Sequence, residues 1–239
     1  MNNYWHKLLL STFVIMLFLL LRVTNLKADM ANTDSYRWYV RSRNFLNAFK
    51  SRNLKDTYQR YHPGIALMYE NSLVQQLWYK YKLTKYSHDV SFDDTRIFTD
   101  FDYTSKLANV LVLAFLFGIQ LMLLSKLYST RVALLYGFFA STEPYLLGID
   151  RWFHLTSLEV YLAFVAILLI LVWRKSDRRI FLILSSVMFA LALLTKVSQV
   201  ILVPVFGLVI LTNFRDKKSV TFKNLGIWFF IILVTIILL

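Results

Sequence analysis

The sequence predicts an all-α protein that crosses a membrane several times. Of its 239 residues 57% are hydrophobic, and mean hydropathy is +0.51. Soluble domains are usually about 45–50% apolar. Several unbroken apolar runs approach the roughly 17–25 residues that a helix needs to cross a bilayer. The runs do not alternate as barrel strands must, and closed barrels are the only other spanning architecture.

The runs lie near residues 8–23, 107–124, 132–147, 158–173, 180–194, 200–211 and 225–239. The first follows Lys7 and has no small-x-small cleavage site near Val23, so it reads as a retained span. In the third, Pro144 predicts a kink, and Glu143 beside it calls for a partner or a water-filled cavity. The fifth and sixth are short, with Thr195, Lys196, Ser198 and Gln199 between them. A tight helical hairpin is the alternative to two crossings there. The seventh reaches Leu239 with no polar flank, so residues 1–239 read as the N-terminal part of a longer domain whose C-terminal part is missing.

A net charge of +13 raises the question of nucleic acid. The Lys and Arg residues sit between apolar runs, where they set topology and meet anionic headgroups. Nucleic acid is therefore not an expected partner; membrane lipid is. Residues 125–131, 174–179 and 213–224 hold ten basic residues, against two in 148–157 and 195–199. The positive-inside rule puts the three basic loops and the N-terminus in the cytoplasm of a multi-pass cell-membrane protein. The long loop 25–105 then faces outward, since loops beyond roughly 60 residues translocate regardless of charge. Zero cysteines exclude disulfides and thiolate chemistry.

The outer loop is too aromatic to be disordered. Between Tyr36 and Phe49, Trp38, Tyr39, Phe45, Leu46 and Phe49 recur at near-helical spacing, interleaved with Arg37, Arg41, Arg43 and Lys50. This predicts a helix lying in the headgroup plane, with Thr33 or Asp34 as its N-cap. A second helix is predicted from Pro63 through Met68, Leu73, Leu77 and Trp78 towards Leu83, with Lys80, Lys82 and Lys85 at its C-terminal end. Residues 87–102 carry Asp89, Asp93, Asp94, Asp100 and Asp102 and read as a solvated connector. No fixed ligand spacing stands out there. No cofactor is called for, and a divalent metal is left open.

Asp34 is the first candidate for chemistry. One reading is a helix cap. The other is a general base at the membrane face, where partial desolvation raises a carboxylate pKa towards working pH. Asp29 is a weaker candidate. His62-Pro63-Gly64 reads either as a helix start or as a polar group near a phosphate. Asp150 and Arg151 either pair with each other, or Arg151 grips a lipid phosphate through its guanidinium fork. Lys196 is the lone charge in its neighbourhood, a phosphate ligand or a snorkelling side chain.

At these residues the chain resembles the GT-C superfamily of membrane glycosyltransferases, in the protein O-mannosyltransferase and aminoarabinose transferase group. Thr33-Asp34-Ser35 stands where that family carries an acidic motif after the first span. Residues 38–42 through Thr57-Tyr58-Gln59-Arg60-Tyr61-His62-Pro63-Gly64 resemble a bacterial subgroup. Ser141-Thr142-Glu143-Pro144-Tyr145 through Asp150-Arg151-Trp152-Phe153-His154 is similar to the family's Pro-Phe, Ser-Arg and His segment, and Leu193-Leu194-Thr195-Lys196 to its Leu-Thr-Lys segment. Two departures stand out: Ser35 replaces a usual Glu, and Thr156 replaces an acid that often follows the His.

The resemblance implies a GT-C transmembrane bundle with membrane-parallel helices in the first outer loop. It implies an inverting transfer of a sugar from a polyprenyl-phosphate donor to a protein, lipid or glycan acceptor. Asp34 would be the catalytic base. Arg151, Lys196, His62, His154 and Tyr58 would bind substrate. The alternative expectation is a non-catalytic membrane protein, such as a lipid flippase, transporter subunit or assembly factor.

Overall fold

Helices form wherever the apolar runs were long, and they extend well past those runs. The computed structural model describes residues 2–29, 31–59, 62–85, 95–211 and 218–239. Among them are ten α-helices and no strand. They are α1 (Asn2–Val23), α2 (Thr33–Lys50), α3 (Ile65–Lys85), α4 (Thr95–Leu127) and α5 (Thr130–Thr142). There follow α6 (Pro144–Asp150), α7 (Leu155–Ser176), α8 (Arg179–Thr195), α9 (Val203–Leu211) and α10 (Lys218–Leu238). Residues 86–94 and 212–217 lie outside the described residues, and with them most of the predicted acidic connector and part of the last basic loop.

Three segments are long and apolar enough to cross a membrane: Leu9–Ala28, Ile97–Leu127 and Leu155–Ser176. A fourth is added if α5 and α6 count as one span. The kink expected at Pro144 is in fact a break, with the two helices bent by 68°. Pro144 starts α6, where its missing N–H costs nothing, and Glu143 caps it by accepting from the Leu146 N–H at 2.6 Å. Glu143 is therefore an exposed cap and not the cavity wall expected from its position. The expected sixth span resolves into a 3-10 turn, Val197–Leu202, followed by the short α9.

Helix α7 is the axis of the bundle, with one face on α4 and another on α8. Val165 and Ala166 on it are fully buried. One core cluster joins α7 to α1, α4 and α5 and continues into α2 and α3. A second joins it to α8, α9 and α10, where Phe189, Phe206 and Trp228 stack with centroids 4.5–5.4 Å apart. Trp38, Tyr39 and Phe45 on α2 are buried against protein. The amphipathic face expected to lie among headgroups thus serves internal packing. It is sealed by polar ties to α3: Ser72 Oγ donates to the Ser42 carbonyl and Gln75 Nε2 to the Tyr39 carbonyl, both at 3.0 Å.

Two ion pairs join the Asp150-Arg151 step to α1 and to the turn after it, and they differ from the pairing expected within that step. Arg22, fully buried, meets Asp150 Oδ2 at 2.7 Å. Arg151 meets Asp29 Oδ2, also at 2.7 Å. Arg22 further donates to the carbonyls of Ala140 and Ser141, which the α5–α6 break leaves open. Tyr161 adds a hydroxyl donor to Asp150 Oδ2 at 2.9 Å.

Glu70 on α3 presents a different case. Both carboxyl oxygens are covered and accept no hydrogen bond, although its stem is partly exposed. Burial pushes its pKa up to about 8, so the folded state holds this proton where the unfolded chain releases it. Between pH 4.5 and 8 the native state binds more protons, and this group's contribution to stability falls as pH rises. Glu70→Gln is expected to melt higher than wild type at pH 9 and equally at pH 4. Equal melting at both pH values would show that the carboxyl is solvated.

Candidate functional site

The first turn of α2 builds one wall of a cavity of about 300 Å³. Asn32 caps this helix, accepting from the Ser35 N–H at 2.7 Å. This corrects the expectation that Thr33 or Asp34 does so. The consequence is chemical: with the cap supplied by Asn32, the Asp34 carboxylate is turned outward. Asp34, Arg37, Trp38 and Arg41 fall at helical spacing on one face of α2 and line the cavity together.

His62, His154, Leu155 and Lys196 close it from three other places in the chain. The loops are joined by a backbone bond. Gly64 N–H donates to the Thr195 carbonyl at 3.1 Å, which ties the His62 segment to the end of α8 beside Lys196. Gly64 has a φ of +63°, and its missing side chain is where the Trp38 ring sits. A glycine meets both demands at once. It precedes α3, which begins at Ile65 and not at Pro63.

Asp34 is over half exposed. The partial desolvation expected of it is not found in the structure. Arg37 Nη1 donates to its Oδ1 at 3.3 Å, and His154 Nε2 lies 3.9 Å from its Oδ2. Arg41 stacks over the Trp38 ring at 4.5 Å, a cation–π contact that holds its guanidinium at the rim.

His154 sits at the N-cap of α7. Its Nδ1 accepts from the Thr156 N–H at 3.2 Å, which fixes the neutral tautomer with the proton on Nε2, the atom aimed towards Asp34. Burial lowers its pKa below the ordinary imidazole value, against the upward pull of Asp34 and with a further lowering by Lys196. Its Nε2–H faces Asp34 from 3.9 Å, beyond hydrogen-bond distance. Thr156, one of the two departures from the resembled motifs, lies 2.9 Å from the same Nδ1 through its hydroxyl. Ser35, the other departure, is fully buried and donates to the Phe153 carbonyl at 3.0 Å. It does not line the cavity.

Lys196 is held by Glu159, a buried carboxylate on α7, at 2.9 Å. Ser198 Oγ and Gln199 Nε2 donate to the other Glu159 oxygen at 3.1 and 3.0 Å. The chain after α8 thus folds around one acid, and the lysine head is fixed at the cavity.

Asp34, His62, His154 and Lys196 are brought together. Arg151 and Tyr58 are not. Arg151 donates to Asp29 and to the carbonyls of Leu21 and Thr24, which makes it a clamp on the end of α1. Tyr58 lines a separate surface hollow with Asn44 and Asp56. The reading of the sequence missed Arg37, Arg41 and Glu159 as members of the site. The first two were legible in their spacing from Asp34. Glu159 was legible as a lone acid in an apolar run. Among the described residues no group of three or more His, Asp or Glu is placed to hold a metal ion. Asp100 and Asp102, read as part of a solvated connector, are paired with Lys27 and Lys106. No protein-family model, curated protein or solved structure matches the chain.

Proposed function

We propose that this chain is a glycosyltransferase of GT-C type that takes its sugar from a polyprenyl-phosphate carrier. The observation that carries the reading is the composition of one cavity: an exposed carboxylate, Asp34, facing Arg37, Arg41, Lys196, His62 and His154. A phosphate-linked substrate needs cations around its phosphate, and a hydroxyl acceptor needs a base. Both lie within a space suited to a small polar group.

In the proposed reaction Asp34 accepts the proton of the acceptor hydroxyl. The acceptor oxygen forms a bond to the anomeric carbon from the face opposite the phosphate, and the anomeric carbon–phosphate oxygen bond breaks. The electron pair leaves with the phosphate, whose growing charge is met by Arg37, Arg41 and Lys196. The result is an inverted glycoside and a free polyprenyl phosphate. His154, neutral with its Nε2–H 3.9 Å from Asp34, is placed to donate to the carboxylate or to the acceptor once substrate closes that gap. Arg151 is assigned no part in this step, because it does not line the cavity and its Nε and Nη1 are engaged at the end of α1.

Asp34→Asn is expected to abolish release of polyprenyl phosphate from labelled donors in proteoliposomes, with melting unchanged because the side chain is exposed. Equal release by the variant would remove Asp34 from the role. No release by wild type across several donors, with the protein folded, would favour the non-catalytic alternative of a flippase, transporter subunit or assembly factor.

A further inference from the structure

Helix α2 carries one face past two hollows. Asp34, Arg37 and Arg41 line the candidate site. Asn44, Ala48 and Ser51 continue the same spacing of three and four residues and line a second hollow, of about 550 Å³. Asn44 stands three residues beyond Arg41, about 4.5 Å along the axis. Asn47, Asp56, Tyr58 and Gln59 complete the lining. A ligand held there therefore lies along the helix face that carries the Asp34 carboxylate.

The far wall is a loop that its own side chains hold in shape. The Asn53 N–H donates to the Ala48 carbonyl at 2.9 Å, which turns the chain back against the end of α2. Asn53 Nδ2 donates to Asp56 Oδ2 at 2.7 Å. Thr57 Oγ1 donates to the Leu54 carbonyl and Gln59 Nε2 to the Asp56 carbonyl, both at 2.6 Å. The hollow is thus preformed, and a ligand need not order it. Other polar groups are left open. Among the described residues, the Asn47 carboxamide and the Tyr58 hydroxyl make no hydrogen bond. Both side chains are exposed, and Tyr58 is 68% so although it is aromatic.

This lining matches a sugar. The carboxamides of Asn44, Asn47 and Gln59 each carry donors and an acceptor, and a sugar hydroxyl is donor and acceptor at once. An exposed ring beside them suits the C–H face of a pyranose, whose rim of hydroxyls then meets the amides. A phosphate would leave the ring unused. An acyl chain would leave the carboxamides without partners. A peptide needs pockets for its side chains, and the apolar lining among the described residues is Ala48 and the Tyr58 ring. Recognition by amides and a ring does not turn on net charge, so Lys50, Arg52, Lys55 and Arg60 near the loop do not decide it. We propose that this hollow binds one pyranose unit of a glycan, with Tyr58 under the ring face and Asn44, Asn47 and Gln59 on its hydroxyls. The binding stands on the hollow alone. That the glycan is the acceptor, running along α2 towards Asp34, rests on the transferase reading.

The test is saturation-transfer difference NMR on the whole chain in nanodiscs. No donor is present, so its failure is distinct from a failure of donor release. The probes are maltohexaose, mannohexaose and chitohexaose, with a Ser-Gly hexapeptide and inorganic phosphate as competitors. At least one hexasaccharide is expected to bind saturably, with its strongest signals on ring C–H protons. Tyr58→Ala and Asn47→Ala are expected to weaken that binding about fivefold each, with melting unchanged because both side chains are exposed. Tyr58→Phe keeps the ring and is expected to keep the binding. Binding of none of the hexasaccharides, or binding that both alanine variants retain in full, would overturn the proposal. Displacement by the hexapeptide would reassign the hollow to a polypeptide, and displacement by phosphate to an anion; either result overturns it.

Discussion

Gly64→Ala is expected to lower stability by about 2–5 kcal/mol and to disorganise the cavity with it. Two penalties combine. A left-handed backbone costs a residue with a side chain roughly 1–2 kcal/mol, and Gly64 sits at φ +63°. The added methyl would also overlap the Trp38 ring and press on Leu155 Cδ2 at 3.3 Å. Overpacking of a buried site costs about 1–3 kcal/mol. Trp38 is 3% exposed and cannot swing out without opening the α2 core. Relief by moving the loop instead would break the Gly64 N–H bond to Thr195 and shift His62 relative to Lys196 in the cavity wall. Thermal melting together with donor release would read both effects. Wild-type melting of Gly64→Ala would mean that Trp38 does not occupy this position.

Asp150→Asn is expected to be the most damaging conservative change within the bundle, at about 3–5 kcal/mol, the cost of leaving a buried charge without its partner. Arg22 and Asp150 are both fully buried. Arg22 stacks on the Phe18 ring at 3.6 Å and has no route to water without dismantling the packing of α1. Replacing both residues with apolar ones, as in Arg22→Met with Asp150→Leu, is expected to recover most of the loss, because neither charge then remains to be desolvated. A double-mutant cycle in melting experiments would detect this as strong non-additivity. Additive losses would show that water reaches the pair.

How much of this was legible depends on how far apart the interacting residues lie in the chain. Helix α2 was predictable, because Trp38, Tyr39 and Phe45 repeat at its period. Its cap was not assigned to Asn32, since Asn32, Thr33 and Asp34 are all competent caps and only backbone geometry chooses among them. The assembly of Asp34 with Arg37 and Arg41 was written in their spacing. Its meeting with Lys196 depends on Gly64 touching Thr195, 131 positions away, and no local pattern encodes that. Arg151 shows the opposite error. A guanidinium at the edge of an apolar run suits a phosphate, yet Asp29 and two carbonyls at the end of α1 occupy it first.

The Arg22–Asp150 pair also sets a clock on biogenesis. Its members are 128 residues apart. Synthesis at about 5–20 residues per second separates their appearance by roughly 6–25 s. Throughout that interval α1 carries an arginine with no counterion, and α6, which supplies it, does not yet exist. The first helix is therefore made without the partner that buries its arginine. The native packing around Arg22 can close only after Asp150 arrives.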